Sequence, residues 1–301
     1  MRKQDPEYRK EFRMRKENGI FTYRWKPEEE APILKITKSS LGSYQFCPLN
    51  YKYGYIDDIN QKVSPAMTKG TIIHDAQEQF WKMVNIEEAL THSDEPMKLQ
   101  KHFRTIYPEA PAEDYEDIYR AMTAYNTERF LECIEEETLG NFVPVGNEVV
   151  MNGAFTTESG VSVHLMGIID RIFYEDGGYI LMELKTGAWK ETSGKKSSMR
   201  KEMAFYKMLY ENSNPEDIIA AGLDPEIPIN HWGWYFPASN YVYTEKVSSR
   251  SATAVLNSMD KLINSYLEDQ FNDTYFYKKC IHCGHFDHCE AAQGSEQNDW
   301  F

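Results

Sequence analysis

The sequence predicts a mixed α/β domain, from three observations. A helical period runs through "KGTIIHDAQEQFWKMV" and again across residues 86–145. The period falls to two between about 147 and 185, in "VSVHLMGIIDRIFY" and "GYILMELK". A long helical pattern, "TAVLNSMDKLINSYLEDQF", then precedes a cysteine-rich end. Strands bracketed by helices give a central mixed sheet flanked by helices, with 86–145 as a helical insertion. The 301 residues allow one large domain or two ordinary ones, and an apolar content of 41% is that of a globular chain.

Residues 1–35 are highly charged with little apolar periodicity and read as an arm or peripheral helix, ahead of a domain spanning 36–301. In "TKSSLGSYQFCPLNYKYGYI", Ser39 and Ser40 are helix-capping residues and Leu41, Tyr44 and Phe46 supply an apolar face. Pro48 interrupts that helix, and Cys47 sits at the break. In the next helix Ile73, Ala76, Phe80 and Val84 recur at steps of three to four. "YEDIYRAMTAYNTERFLECIEEE" is the strongest helical piece of the insertion, and "HWGWYFP" near 231 reads as a further strand.

Composition narrows the function. Neither an apolar run of 18 residues nor an apolar N-terminal segment is present, so a cytoplasmic protein without a membrane partner is expected. A net charge of −14 excludes a nucleic-acid footprint over the whole surface. Between Glu183 and Lys207, however, seven Lys/Arg stand against three Glu, a local excess of +4, and any DNA contact should gather there.

"GIIDRIFYEDGGYILMELKTG" carries the most chemistry. Asp176-Gly177 is a strong signal for a two-residue hairpin turn, since both central positions favour positive φ. Such a loop pairs Glu175 with Gly178 and sets Asp170 opposite Glu183, with Cβ atoms roughly 4.5 to 5.5 Å apart. Like charges so placed are destabilising, and a divalent cation between them is the simplest reason for the register. Period two puts Lys185 beside Glu183 and turns Ile180, Met182 and Leu184 the other way. Two carboxylates holding Mg²⁺ or Mn²⁺ beside a lysine suit phosphodiester hydrolysis. The competing reading is a solvated polar face of an amphipathic hairpin.

"CIHCGHFDHCE" places Cys280, Cys283 and Cys289 at C-x2-C-x5-C spacing. Five cysteines, an odd number, suit metal ligation better than a disulfide framework. Three thiolates leave a fourth ligand open. With His282, His285 or His288 the group is a local zinc site; with a distant residue it is a clamp between two parts of the chain. Cys133 reads as a small core residue. His164 shares a strand face with Asp170 but lies too far along it for metal binding, and His92, His102 and His231 stand apart from any motif.

Several of these stretches, in order, resemble the PD-(D/E)xK (restriction-endonuclease-like) nuclease superfamily in its RecB-like branch. "GIID" with Asp170 and "ELK" from Glu183 to Lys185 look like its metal-binding Asp and (D/E)xK. "GTIIH" resembles the G-x-x-x-H motif, whose histidine, here His74, is a further metal ligand. "EMAFY" falls where that branch has Q-x-x-x-Y, giving Tyr206 but Glu202 in place of Gln. "SSLGSYQFCPLNYKY" resembles its N-terminal Cys-Pro segment. The likeness is greatest to the CRISPR-associated RecB-like exonucleases, the fourth Cas family, and to AddB-type nuclease domains.

That resemblance implies a DNA exonuclease acting on single-stranded ends. His74, Asp170 and Glu183 would hold Mg²⁺ or Mn²⁺, Lys185 would activate water, and Glu202 with Tyr206 would position substrate or lysine. It also implies a 4Fe-4S cluster on Cys47, Cys280, Cys283 and Cys289, the last three within the C-terminal segment 278–290. CRISPR integrase proteins or a helicase would be partners, in a prokaryotic or virus-infected cell. The alternative is a weakly active or inactive DNA-end-binding subunit of a CRISPR-adaptation or recombination complex. A weaker third reading is a zinc-stabilised adaptor without nuclease chemistry, which leaves the Asp170–Glu183 register unexplained.

Overall fold

In the computed structural model, residues 34–61, 63–156, 161–272, 276–289 and 291–292 are described, with the backbone of two short strands near the N-terminus. Those strands, β1 (Arg15–Glu17) and β2 (Ile20–Thr22), pair antiparallel where an arm or helix was expected. Leu34 and Lys35, at the end of that arm, belong to the main sheet, and its other residues lie outside those described. The main elements then follow as β3 (Leu34–Thr37), α1 (Lys38–Phe46), α2 (Pro48–Tyr51), α3 (Pro65–Met83), α4 (Ile86–Leu90), α5 (Pro96–Ile106) and α6 (Glu113–Glu135). After these come β4 (Gly146–Thr156), β5 (Ser162–Glu175), β6 (Gly178–Leu184), α7 (Ser193–Glu211) and α8 (Pro215–Ala220). Finally β7 (Ile229–Phe236), β8 (Tyr241–Lys246), α9 (Ser249–Leu267) and α10 (Tyr277–Cys280) complete the domain.

The expected hairpin forms β5 and β6. Asp176 and Gly177 adopt φ of 50° and 73°, and Glu175 pairs with Gly178. This left-handed pair matches the twist of the flanking strands, which is why the loop closes in two residues.

β5 organises the sheet. One edge pairs antiparallel with β4 over most of its length. The other edge is shared: β3 runs parallel to Val163–Met166, and β6 antiparallel to Arg171–Glu175. The C-terminal ends of β3 and β6 therefore run toward each other and meet beside Gly167–Asp170. β7 adds parallel to β6, and β8 antiparallel to β7. The sequence reading contained no strand at β8; its residues are half-buried or exposed, so an edge strand shows little apolar alternation.

Each face of the sheet has its own core. On one, Leu34, Ile36, Val163, Leu165 and Leu181 pack against Met203 and Leu209 of α7 and Met259 and Leu262 of α9. On the other, Phe173, Ile180, Met182 and Leu184 meet Phe80 and Trp81 of α3, Phe103 of α5, and Tyr119 and Phe130 of α6. Aromatic rings run through this second core: Phe80, Phe103, Phe130 and Phe142 meet edge-on in sequence. Truncating one such ring to Ala costs about 3–5 kcal/mol.

Helix α1 is capped two residues ahead of the first of its serines. Thr37 is the N-cap, its hydroxyl accepting from Ser40 N while Ser40 Oγ accepts from Thr37 N. The chain thus passes from β3 into α1 without a loop. At the far end Cys47 returns to extended geometry, at φ −163°, between α1 and the Pro48-led α2.

Candidate active site

Both Asp170 and Glu183 are buried, at 3% and 4% exposure. The β5–β6 ladder ends at Arg171–Met182, so register places them opposite each other one step beyond it. There the Asp170 carboxylate replaces a ladder bond: its Oδ2 accepts from Leu184 N at 3.0 Å. Burial, then the charge of Glu183, push the Asp170 carboxyl above the usual carboxylate range. Glu183 goes the other way. Burial alone would raise it, but the ammonium groups of Lys38 and Lys185 outweigh that and hold it ionised, well below the ordinary value.

Glu183 Oε1 accepts from Lys38 Nζ at 2.6 Å and from Lys185 Nζ at 3.3 Å. Its second oxygen, Oε2, is buried without a hydrogen-bond partner among the described residues. Lys185 also donates to Glu202 Oε2 at 2.6 Å. Burial would lower Lys185, but Glu183 and Glu202 raise it, so it stands as a fixed ammonium. Lys38 is raised well above its usual value, Glu183 again outweighing burial, and it sits 5.2 Å over the Tyr206 ring.

Lys38 was not among the candidates from sequence. It directly follows β3, and only the shared edge of β5 brings it to Asp170 and Glu183. The second residue missed is Glu148. In the β4–β5 register it stands opposite Asp170, so Glu148, Asp170 and Glu183 lie in one row across three strands. Pairing between β4 and β5 is interrupted there, because Glu148 has φ of 51°. A left-handed glutamate inside a strand is strained by about 1–3 kcal/mol, and such outliers collect at functional sites. No two-residue turn signal separates β4 from β5 as Asp176-Gly177 separates β5 from β6, so counting from a turn did not place Glu148.

His74, on the buried-apolar helix α3, approaches this row. Its Nδ1 lies 3.5 Å from Asp170 Oδ2 and 3.8 Å from Glu148 Oε1. Ligand atoms of His74, Glu148 and Asp170 all fall within 4.8 Å of one another. Glu183 is outside that set, drawn toward the lysines. Tyr206 is buried and carries a phenol raised well above its usual value by burial and by Glu183. Gly167 admits it: a Cβ at Gly167 would stand 3.2 Å from the Tyr206 ring and 2.9 Å from Leu209. The glycine of "GIID" thus lets α7 lie close to β5.

The expected basic face is mostly spent internally. Arg200 pairs with Glu245, Lys196 with Glu191 and Lys207 with Glu211, while Lys195 lies over Trp189 and Phe236. What opens beside the site is a cleft of about 680 Å³ between α1 and α7, lined by Lys38, Gln45, Phe46, Lys201, Glu202 and Lys279 among others. Lys38 and Lys279 lie outside the 183–207 stretch.

Cys47, Cys280, Cys283 and Cys289 line one small cavity with Phe46, Leu49, Tyr53 and Phe286. Burial, then the neighbouring cysteines, raise the Cys283 thiol. His282 and His288 are exposed. His285 is buried with both ring nitrogens engaged, Nδ1 at 2.9 Å from Asn50 Oδ1 and Nε2 at 3.0 Å from the Ile59 carbonyl. Cys133 is a buried core residue of α6.

Two buried carboxylates and the half-buried Glu148, a histidine and an orphaned carboxylate oxygen beside a fixed ammonium form a donor set for a divalent cation. The chain belongs to the PD-(D/E)XK nuclease superfamily, whose family model matches residues 35–290. Nucleases of this superfamily use divalent metals, and the residues present fit one. Among solved structures the chain is similar to one described as "Crystal structure of SSO0001", at 15% identity and a TM-score of 0.34, covering 75% of this chain and 97% of that one. No curated protein matches the sequence. Among the described residues, no helix is long and apolar enough to cross a membrane.

Proposed function

We propose that this nuclease is a DNA exonuclease that hydrolyses phosphodiester bonds at single-stranded ends. The observation that carries the reading is the strained Glu148–Asp170–Glu183 row with His74 on one side and Lys185 on the other. His74, Glu148 and Asp170 would hold Mg²⁺ or Mn²⁺, with Glu183 beside them; the ion, when bound, supplies Lewis-acid polarisation and a more acidic water. Lys185, kept protonated by Glu183 and Glu202, orients water and stabilises charge developing on phosphate. Glu202 positions Lys185, and Tyr206 supports Lys38 from below.

The single-strand preference is supported by the cleft beside the site. Its lysines suit a phosphate backbone, and the half-buried Phe46 offers a ring on which an unpaired base stacks. For the cysteines we favour a 4Fe-4S cluster on Cys47, Cys280, Cys283 and Cys289. Tetrahedral zinc needs sulfurs roughly 3.8 Å apart. Among the described residues, no triad of ligand atoms within 4.8 Å includes a cysteine. The histidine of the segment that is buried already has both nitrogens engaged.

The test is digestion of end-labelled linear and circular single-stranded DNA with Mn²⁺, alongside metal analysis of anaerobically purified protein. Loss of linear DNA alone, abolished by Asp170→Ala, and bound iron are expected. Parent-like digestion by Asp170→Ala would sink the catalytic assignment, and stoichiometric zinc without iron would sink the cluster. A second reading, a DNA-end-binding subunit that cuts poorly, is favoured by the 2.6 Å Lys185–Glu202 pair, which binds the catalytic lysine's charge. End binding without metal-dependent cleavage, restored by Glu202→Gln, would select it.

A further inference from the structure

We propose that Glu88, His92 and His102 form a second metal site, for an ion of the zinc class, in the helical insertion. Glu88 lies on α4 and His92 in the turn after it, four residues on; His102 comes from α5. One ligand atom from each falls within 4.8 Å of the others. The imidazole rings stack, with centroids 4.7 Å apart and planes at 27°.

These groups do not satisfy one another. His102 Nδ1 stands 3.9 Å from Glu88 Oε1, too far for a hydrogen bond. His102 Nε2 is buried and has no hydrogen-bond partner among the described residues. A buried ring nitrogen left unpaired is costly, and an ion that reaches Nε2 would relieve that cost.

The donor types select the ion. Two imidazoles and one carboxylate are a three-ligand set for zinc with a fourth position open, and such donors prefer zinc, copper or nickel to magnesium or manganese. Zinc–nitrogen bonds near 2.0–2.1 Å draw ligand atoms to roughly 3.4 Å apart. Glu88 is exposed and free to swing that distance. The site would tie the α4 turn to α5, whose Leu99 and Phe103 belong to the aromatic core around α3.

The full chain is dialysed to equilibrium against micromolar zinc with millimolar magnesium, and bound metal is counted. Parent protein is expected to hold one zinc per chain more than His92→Ala or Glu88→Gln, while Asp170→Ala keeps the extra ion. The cysteines contribute equally to all four proteins, so the difference reports this site. Equal zinc in parent and folded His92→Ala overturns the proposal, as does loss of the extra ion in Asp170→Ala. Circular dichroism checks folding; should His92→Ala unfold, the exposed Glu88→Gln decides alone.

Discussion

Glu183 and Glu245 are both carboxylates on the same sheet, and their surroundings are opposite. Glu245, on β8, accepts from Arg200 Nε and Nη2 at 2.6 and 2.5 Å, from Trp232 Nε1 at 2.9 Å and from Tyr243 Oη at 2.8 Å. Both of its oxygens are engaged. Glu183, two strands away, shares one oxygen between two lysines, has the other orphaned, and faces the like charge of Asp170. A fully paired carboxylate holds elements together; a crowded and half-paired one raises the energy of the empty fold and is relieved when a cation arrives.

The sharpest test of that contrast is the effect on cleavage. Asp170→Asn is expected to lower metal-dependent cleavage by on the order of a thousandfold, while leaving thermal stability equal or higher, because it removes a buried like charge. A variant that loses stability along with activity would make Asp170 a structural residue like Glu245. Glu148→Gln should raise the Mn²⁺ concentration for half-maximal cleavage by about ten- to a hundredfold, measured by metal titration at fixed DNA. An unchanged titration would remove Glu148 from the ion site and leave its left-handed backbone unexplained.

Glu245→Gln should act in the reverse sense, costing about 1–3 kcal/mol in chemical denaturation with cleavage by the folded protein within a few-fold of parent. The smallest effect is in pH. Burial pushes Glu245 up, but the Arg200, Trp232 and Tyr243 bonds outweigh it and hold the carboxyl at about 2, against an ordinary 4.5. Its folded value is depressed, so its contribution is complete above the ordinary value and fades as pH falls from about 4.5 toward 2. Stability measured across that window should drop in parent by a component that Glu245→Gln lacks; identical curves would show that the network does not depend on ionisation.

How much of this was legible in the sequence depended on local rules. The Asp176-Gly177 turn fixed its own register, so the Asp170–Glu183 opposition could be counted out along two strands. Helix α3 announced itself by period, which put His74 beside a core face. Lys38 was hidden because its position follows from the pairing of distant segments, β3 with β5, and Glu148 because the β4–β5 connection has no two-residue turn from which to count the register. The basic excess near Lys185 is partly taken up for a related reason, since charge counted along the chain does not show that Glu245, on another strand, pairs with Arg200. The serine pair at 39 and 40 was two to three residues late because β3 runs straight into α1, leaving Thr37 to cap.

That uninterrupted run has a mechanical consequence. Helix α1 is nine residues long, roughly 13 Å from end to end, with Lys38 at its first position and Cys47 immediately past its last. It works as a lever with no slack. Any group that bridged Cys47 with Cys280, Cys283 and Cys289 would also set how deeply the Lys38 ammonium reaches toward Glu183, so a change at the cysteine end would be felt as a misplaced charge at the carboxylate end.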